Sequence, residues 1–170
     1  MKVVGSFLIV ISFTFFGRMS AEKILKRVKY LKIIINILKF IKIEILYNKD
    51  SIFNIAKKLN ESDGFKKLDF INNFYNNFLK GNSVKNAWVS SIKMSNMLLG
   101  VFNKSDIEEI GKIGNWLGGS DVNGQIASID LTSEHLKVML KEAEENKKKY
   151  VKVCNNLGIL LGLALVILIW

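Results

Sequence analysis

Residues 157–170 at the end of the chain read LGILLGLALVILIW and contain no charged side chain. A hydrocarbon core of about 30 Å is crossed by about 20 apolar helical residues, with about 17 as the lower limit. Extending the run back to Val151 reaches that limit, with Lys152 near its inner edge. We therefore predict a C-terminal transmembrane helix at residues 151–170. The alternative is a helix buried in a globular core.

A second apolar run lies at the other end of the chain, where residues 3–16 read VVGSFLIVISFTFF. A secretory signal peptide has its basic residues in front of the apolar run. Here only Lys2 precedes the run, whereas five Lys or Arg residues follow between residues 18 and 29. Met19 also stands where a cleavage site needs a small residue. We therefore predict an uncleaved transmembrane helix at residues 1–17 with its N-terminus outside the cell.

The segment between the two runs, residues 18–150, carries 23 of the 25 basic residues and all 15 acidic residues. Basic residues on the inner side of membrane segments place this segment in the cytoplasm. Its apolar residues recur at three- and four-residue steps, which is typical of amphipathic helices, and no alternating strand pattern is present. We predict an all-α helical bundle flanked by two membrane helices. Neither a recognition helix nor a base-stacking surface is evident, so no nucleic-acid partner is expected.

Turn and cap residues divide this segment into helices. The expected elements are a long helix from Arg18 to about Tyr47, a short helix capped by Asp50 or Ser51, a helix at residues 65–80, one capped by Ser83, one starting at Ser105, and a last helix from about Val122 into the C-terminal anchor. Residues 95–104 are left unassigned.

Few residues offer catalytic or metal-binding chemistry. The single histidine, His135, has no second His or Cys at metal spacing, so no metal site is predicted. The stretch Gly118-Gly119-Ser120-Asp121 lacks the pattern of a phosphate-binding loop and is interpreted as one helix ending and another beginning. Carboxylates such as Glu109 lie in charged stretches and are interpreted as solvated. The chain is therefore predicted not to be an enzyme and to use no cofactor or small-molecule substrate.

Glu44 differs from the other carboxylates because it sits among apolar residues at 41, 43, 45 and 46. A buried carboxylate needs a partner to offset its lost hydration. We expect a salt bridge or a hydrogen bond to Tyr47.

Several short motifs follow one another in a recognisable order. They are Phe16-Gly17 after the first apolar run, Ile43-Glu44-Ile45-Leu46-Tyr47, Lys80-Gly81 before Ala87-Trp88, Leu117-Gly118-Gly119-Ser120-Asp121 followed by Gln125, and Leu157-Gly158 with Gly162. In order, spacing and total length the chain resembles the stage III sporulation protein AB family of endospore-forming bacteria. It departs from the family pattern at Val122 and Asn123, where a basic residue is common. It also lacks the usual proline near Lys49.

The resemblance implies a mother-cell membrane protein that faces the forespore within the channel complex of sporulation. The soluble part of the family resembles the cytoplasmic domain of type II secretion platform proteins. Such a platform contacts a secretion-type ATPase in the cytoplasm and other stage III channel subunits in the membrane, and it catalyses nothing itself. The alternative function is a basic membrane-tethered adaptor, or a holin-like protein, without an ATPase partner.

The resemblance also yields candidate partner contacts. They are Glu44, Tyr47, Trp88, Gly118, Gly119, Asp121 and Gln125. Structural roles are open for most of them: Trp88 and Tyr47 as core residues, the glycines as helix ends and Asp121 as a cap, with packing favoured for Trp88. Small residues let membrane helices approach closely, so Gly5, Gly158 and Gly162 are candidate membrane-packing positions.

Overall fold

A computed structural model describes residues 2–65, 68–119 and 121–169, apart from the surroundings of some side chains in the two terminal segments. Its helices are α1 Lys2–Ile43, α2 Ile52–Glu61, α3 Asp69–Leu79, α4 Val84–Met94, α5 Asn96–Val101, α6 Lys104–Trp116 and α7 Val122–Ile169, with a π-helical turn at Glu44–Asn48. The described residues contain no strand. The prediction of an all-α protein is therefore confirmed.

The chain forms two compact units. The terminal unit comprises Met1–Lys29 and Lys141–Trp170, and the central unit comprises Tyr30–Leu140. Across the described parts of the chain, a search for a helix with the length and hydropathy to cross a membrane finds none. The two transmembrane helices and the domain boundaries after residues 17 and 150 stay predictions.

The core of the central unit is built from apolar faces of its helices. Trp88 on α4 is fully buried, and its ring lies 5.5 Å from that of Phe70 and 5.0 Å from that of Phe74. The indole Nε1 of Trp88 donates a hydrogen bond of 2.9 Å to the carbonyl oxygen of Ile110 on α6. Gly114 lets α6 approach closely, since a Cβ there would lie 3.1 Å from the Trp88 side chain. The interpretation of Trp88 as a core residue is confirmed.

Side-chain caps set several of the helix starts. The Ser51 and Ser83 hydroxyls accept hydrogen bonds from backbone N–H groups at the starts of α2 and α4, as expected. The α6 start was predicted at Ser105, but Asn103 is the cap and forms a reciprocal capping box with Asp106. Ser95 caps α5 within the stretch that had been left unassigned.

Helix α3 begins at Asp69 rather than at the predicted residue 65. The Asp69 carboxylate accepts hydrogen bonds from the Ser95 hydroxyl and the Met97 backbone N–H at the start of α5. These hydrogen bonds join residues far apart in the sequence, so the local periodicity could not predict them.

Candidate partner-binding site

The end of α1 changes from α-helix to a π-helical turn at Glu44–Asn48. Lys49 then adopts a left-handed conformation with φ of 51°, and its backbone N–H bonds to the carbonyl oxygen of Glu44. The Asp50 N–H reaches the same oxygen at 3.1 Å. π-helical turns are rare and occur frequently at functional sites. This one reverses the chain immediately before α2.

The buried carboxylate of Glu44 holds this turn against α2. Its Oε2 accepts a hydrogen bond of 2.8 Å from the Asn48 amide and one of 2.6 Å from the Lys58 ammonium. Lys58 also donates to Asp50 Oδ2 at 2.6 Å. The expectation of a salt bridge is confirmed, whereas Tyr47 is not the partner.

The charges of this network shift each other's titration. The hydrogen bond from Lys58 lowers the pKa of Asp50, and the hydrogen bonds to Asp50 and then Glu44 raise the pKa of Lys58. Asp50 and Lys58 are therefore charged at neutral pH, and their ion pair helps to keep the turn and α2 together.

The turn between α6 and α7 packs beside the same end of the unit. Gly118 has φ of +73°, and a Cβ there would lie 3.2 Å from Cγ1 of Ile52 in α2. Its backbone N–H donates a hydrogen bond of 3.1 Å to Oε1 of the buried Gln125. Asp121 is exposed and accepts a hydrogen bond of 3.1 Å from the Gly124 N–H, as expected of a cap. Gly118 and Gln125 thus fix the conformation of the turn between α6 and α7.

The two turns enclose a cavity of about 330 Å³, which we call the α1–α7 pocket. It is lined by Ile45, Leu46, Lys49, Asp50, Ser51, Ile52, Val122 and Gln125. Two lining residues are also exposed apolar side chains, Leu46 at 41% and Val122 at 48%. Tyr47, next to Leu46 in the π-helical turn, is 74% exposed. The interpretation of Tyr47 as a core residue is wrong, and its aromatic ring is available for contact.

Comparison with known proteins assigns the chain to a family. A family model described as "Stage III sporulation protein AB (spore_III_AB)" matches residues 2–170. The chain belongs to the stage III sporulation protein AB family. The curated stage III sporulation protein AB of Bacillus subtilis (strain 168) is 26% identical over 170 residues, which cover 99% of both chains. A solved structure of stage III sporulation protein AB is 25% identical, with a TM-score of 0.59 over 73% of this chain and 98% of that one.

Family membership confirms the resemblance that the order of motifs indicated. In this chain Gly118 and Gln125 lie at the same end of the central unit as Glu44, which is far from both in the sequence. Gly119 lies in the same turn, where its N–H bonds to the carbonyl oxygen of Trp116 at 3.1 Å. Trp88 is a correction: its fully buried side chain offers no surface to a partner.

The structure says less about the three glycines predicted to pack in the membrane. Gly5 is exposed, and a Cβ added there meets nothing within 4 Å, so no described group of the chain lies close to it. Gly158 and Gly162 are helical, but their surroundings lie outside the described part of the chain. Their packing role stays a prediction.

Sequence reasoning missed Lys58 and Asp50, because only the need of Glu44 for a partner is visible in the sequence. It also misjudged Glu109 as solvated, although its side chain is 7% exposed. Its carboxylate lies 2.8 Å from His135 Nδ1 and 2.6 Å from Lys112 Nζ. Burial raises the pKa of Glu109, but the hydrogen bonds with Lys112 and His135 outweigh it and the pKa is lowered. The contact between Glu109 and His135 joins α6 to α7.

Proposed function

We propose that the chain is a non-catalytic membrane platform of the channel complex that links mother cell and forespore during sporulation. In this proposal the central unit lies in the cytoplasm and docks a secretion-type ATPase. The terminal segments anchor it in the mother-cell membrane that faces the forespore. Membership of a sporulation stage III family supports this role.

One observation carries the docking proposal: the exposed apolar side chains of Leu46 and Val122 line the cavity of about 330 Å³, and the exposed Tyr47 follows Leu46 in the π-helical turn. We call these three residues the pocket rim. Part-buried hydrogen bonds, one of them an ion pair, hold the elements that form the pocket, so its rim is presented on a fixed frame. Tyrosine is enriched among the residues that contribute most to the binding energy of protein interfaces, and these residues cluster in well-packed pockets near the interface centre. The rim therefore suits a protein partner better than a small polar substrate.

The membrane part of the proposal rests on the sequence of the two ends. Residues 3–16 and 157–170 are uncharged, and the basic residues gather on their inner sides. Other stage III channel subunits would meet the chain within the bilayer, where small residues such as Gly158 and Gly162 allow close helix packing.

Co-purification from sporulating cells tests the docking proposal. The tagged full chain is solubilised from membranes, and the secretion-type ATPase that accompanies it is quantified. Leu46→Ala combined with Tyr47→Ala should reduce the captured ATPase at least about tenfold, since anchor residues each contribute more than about 1 kcal/mol. Leu131→Ala with Val138→Ala is the matched control, because these α7 side chains are 60% and 70% exposed.

Two outcomes would contradict the proposal. Equal loss of ATPase in the test and control pairs would show that docking does not depend on the pocket rim. Absence of the ATPase from wild-type preparations would favour the alternative, a membrane-tethered adaptor or holin-like protein without that partner.

A further inference from the structure

Positive charge is concentrated in the terminal unit. Residues 1–29 and 141–170 contain eleven Lys or Arg and four Glu, which gives +7 of the chain's net charge of +10. The same unit contains both apolar runs. Charge complementarity therefore favours an anionic partner at this unit, and the apolar ends favour one that is part of a lipid surface.

A cleft of about 260 Å³ lies between α1 and α7 within this unit. It is lined by Ile24, Arg27, Ala143, Asn146 and Tyr150. The Arg27 side chain is only 13% exposed, so its guanidinium forms part of the wall. The ammonium of Lys149 lies 5.1 Å from the centroid of the ring of Tyr150, which lines the cleft.

A carboxylate is already held loosely at this cleft. Glu142 Oε1 lies 3.6 Å from Arg27 Nη1 and 3.5 Å from Asn146 Nδ2. Charge-assisted hydrogen bonds are normally about 2.7–2.9 Å long, so both contacts are long and weak. The Glu142 side chain is also 61% exposed and free to swing away. Arg27 and Asn146 thus point at one position that a better-fitting anion can take.

We propose that this cleft binds the headgroup of an anionic phospholipid, with the phosphate replacing the Glu142 carboxylate between Arg27 and Asn146. The inference rests on the membrane anchoring proposed above. Tyr150 directly precedes the predicted C-terminal membrane helix. Ile24 lies seven residues beyond the N-terminal one, about 10 Å along a helix. Tyrosine is typical of the membrane interface, and the acyl chains extend from the cleft along the apolar ends.

Native mass spectrometry of the full chain in detergent tests the site. Dioleoyl phosphatidylglycerol and dioleoyl phosphatidylcholine are the probes, and the occupancy of each is measured against its concentration. The anionic lipid should bind and the zwitterionic one should not. Arg27→Gln should weaken phosphatidylglycerol binding about tenfold, the size expected for a lost hydrogen bond to a charged group. Lys29→Gln, exposed on the same helix, makes the same charge change and should stay within about twofold.

A variant with the opposite sign excludes unfolding as the cause. Glu142→Gln removes the competing carboxylate and should strengthen phosphatidylglycerol binding severalfold, whereas an unfolded chain would only lose affinity. Glu145→Gln is its control, since Glu145 is exposed on the same helix and does not line the cleft.

Three results would overturn the inference. They are equal occupancy by the two lipids, equal losses in Arg27→Gln and Lys29→Gln, and equal gains in Glu142→Gln and Glu145→Gln. The last two would indicate diffuse charge instead of a site. Displacement of the lipid by equimolar glycerol 3-phosphate would assign the cleft to a soluble phosphate. No ATPase is present in this assay, so its outcome does not depend on whether the chain docks an ATPase. Absence of the chain from the membrane fraction of cells would instead refute the proposed membrane anchoring.

Discussion

Replacing Trp88 tests the packing of the central unit. Its indole is fully buried and contacts the rings of Phe70 and Phe74. Its Nε1 also donates the hydrogen bond to the Ile110 carbonyl oxygen. Trp88→Ala therefore removes one ring of an aromatic cluster and the hydrogen bond from α4 to the Ile110 carbonyl oxygen of α6.

The expected cost follows from these two losses. Truncating a buried Trp to Ala costs about 3–5 kcal/mol, and the lost hydrogen bond to the Ile110 carbonyl oxygen adds about 1 kcal/mol. A domain is stable by about 5–15 kcal/mol, so the variant should sit close to unfolding. With a urea m-value of about 2 kcal/mol/M, the midpoint should fall by roughly 2–3 M.

Urea unfolding of the segment from Lys23 to Lys149, followed by circular dichroism, measures this shift. That segment is expected to be helical. Trp88→Phe should cost about 1–3 kcal/mol, because it keeps most of the ring but loses the hydrogen bond. Trp116→Phe is the matched control, since Trp116 Nε1 is buried and has no hydrogen-bond partner among the described residues. Equal midpoints for Trp88→Ala and wild type, or equal costs for the two Phe variants, would refute this account of the core.

Three further changes test other contacts. Because the pKa of Glu109 is lowered in the folded state, its charge stabilises the fold at pH values above the ordinary carboxyl pKa of about 4.3. This contribution is lost as pH falls through the pKa of the folded state. In acid titrations, the stabilities of wild type and Glu109→Gln should therefore differ at pH 7 and converge at low pH. Gly118→Ala should lower the free energy of unfolding by about 1 kcal/mol or more because of its positive φ, measured as a lower urea midpoint. Gly119→Ala should cost less, and equal shifts would contradict this. Gly158→Leu with Gly162→Leu should keep normal membrane levels but reduce complex assembly and spore yield; normal spore yield would show that lipid merely tolerates the glycines.

Local signals in the sequence determined the all-α class and much of the helix punctuation. Ser51 and Ser83 cap the helices that follow them because a hydroxyl binds an N–H only three residues away. The 3.6-residue period of apolar residues predicted Trp88 in the core, because residues on one face of a helix share one environment. The need of Glu44 for a partner was equally visible, because a carboxylate among apolar residues is costly without one.

Only the tertiary structure decided which groups meet. Lys58 and Asp50 complete the Glu44 network because the π-helical turn folds α2 back onto the end of α1. The same turn spaces its hydrogen bonds by five residues instead of four, and Tyr47 within it is exposed despite its apolar neighbours. Arg27 likewise meets Glu142 only through the packing of α1 on α7. Periodicity and caps act over a few residues, whereas these contacts depend on how distant helices pack, which no local pattern specifies.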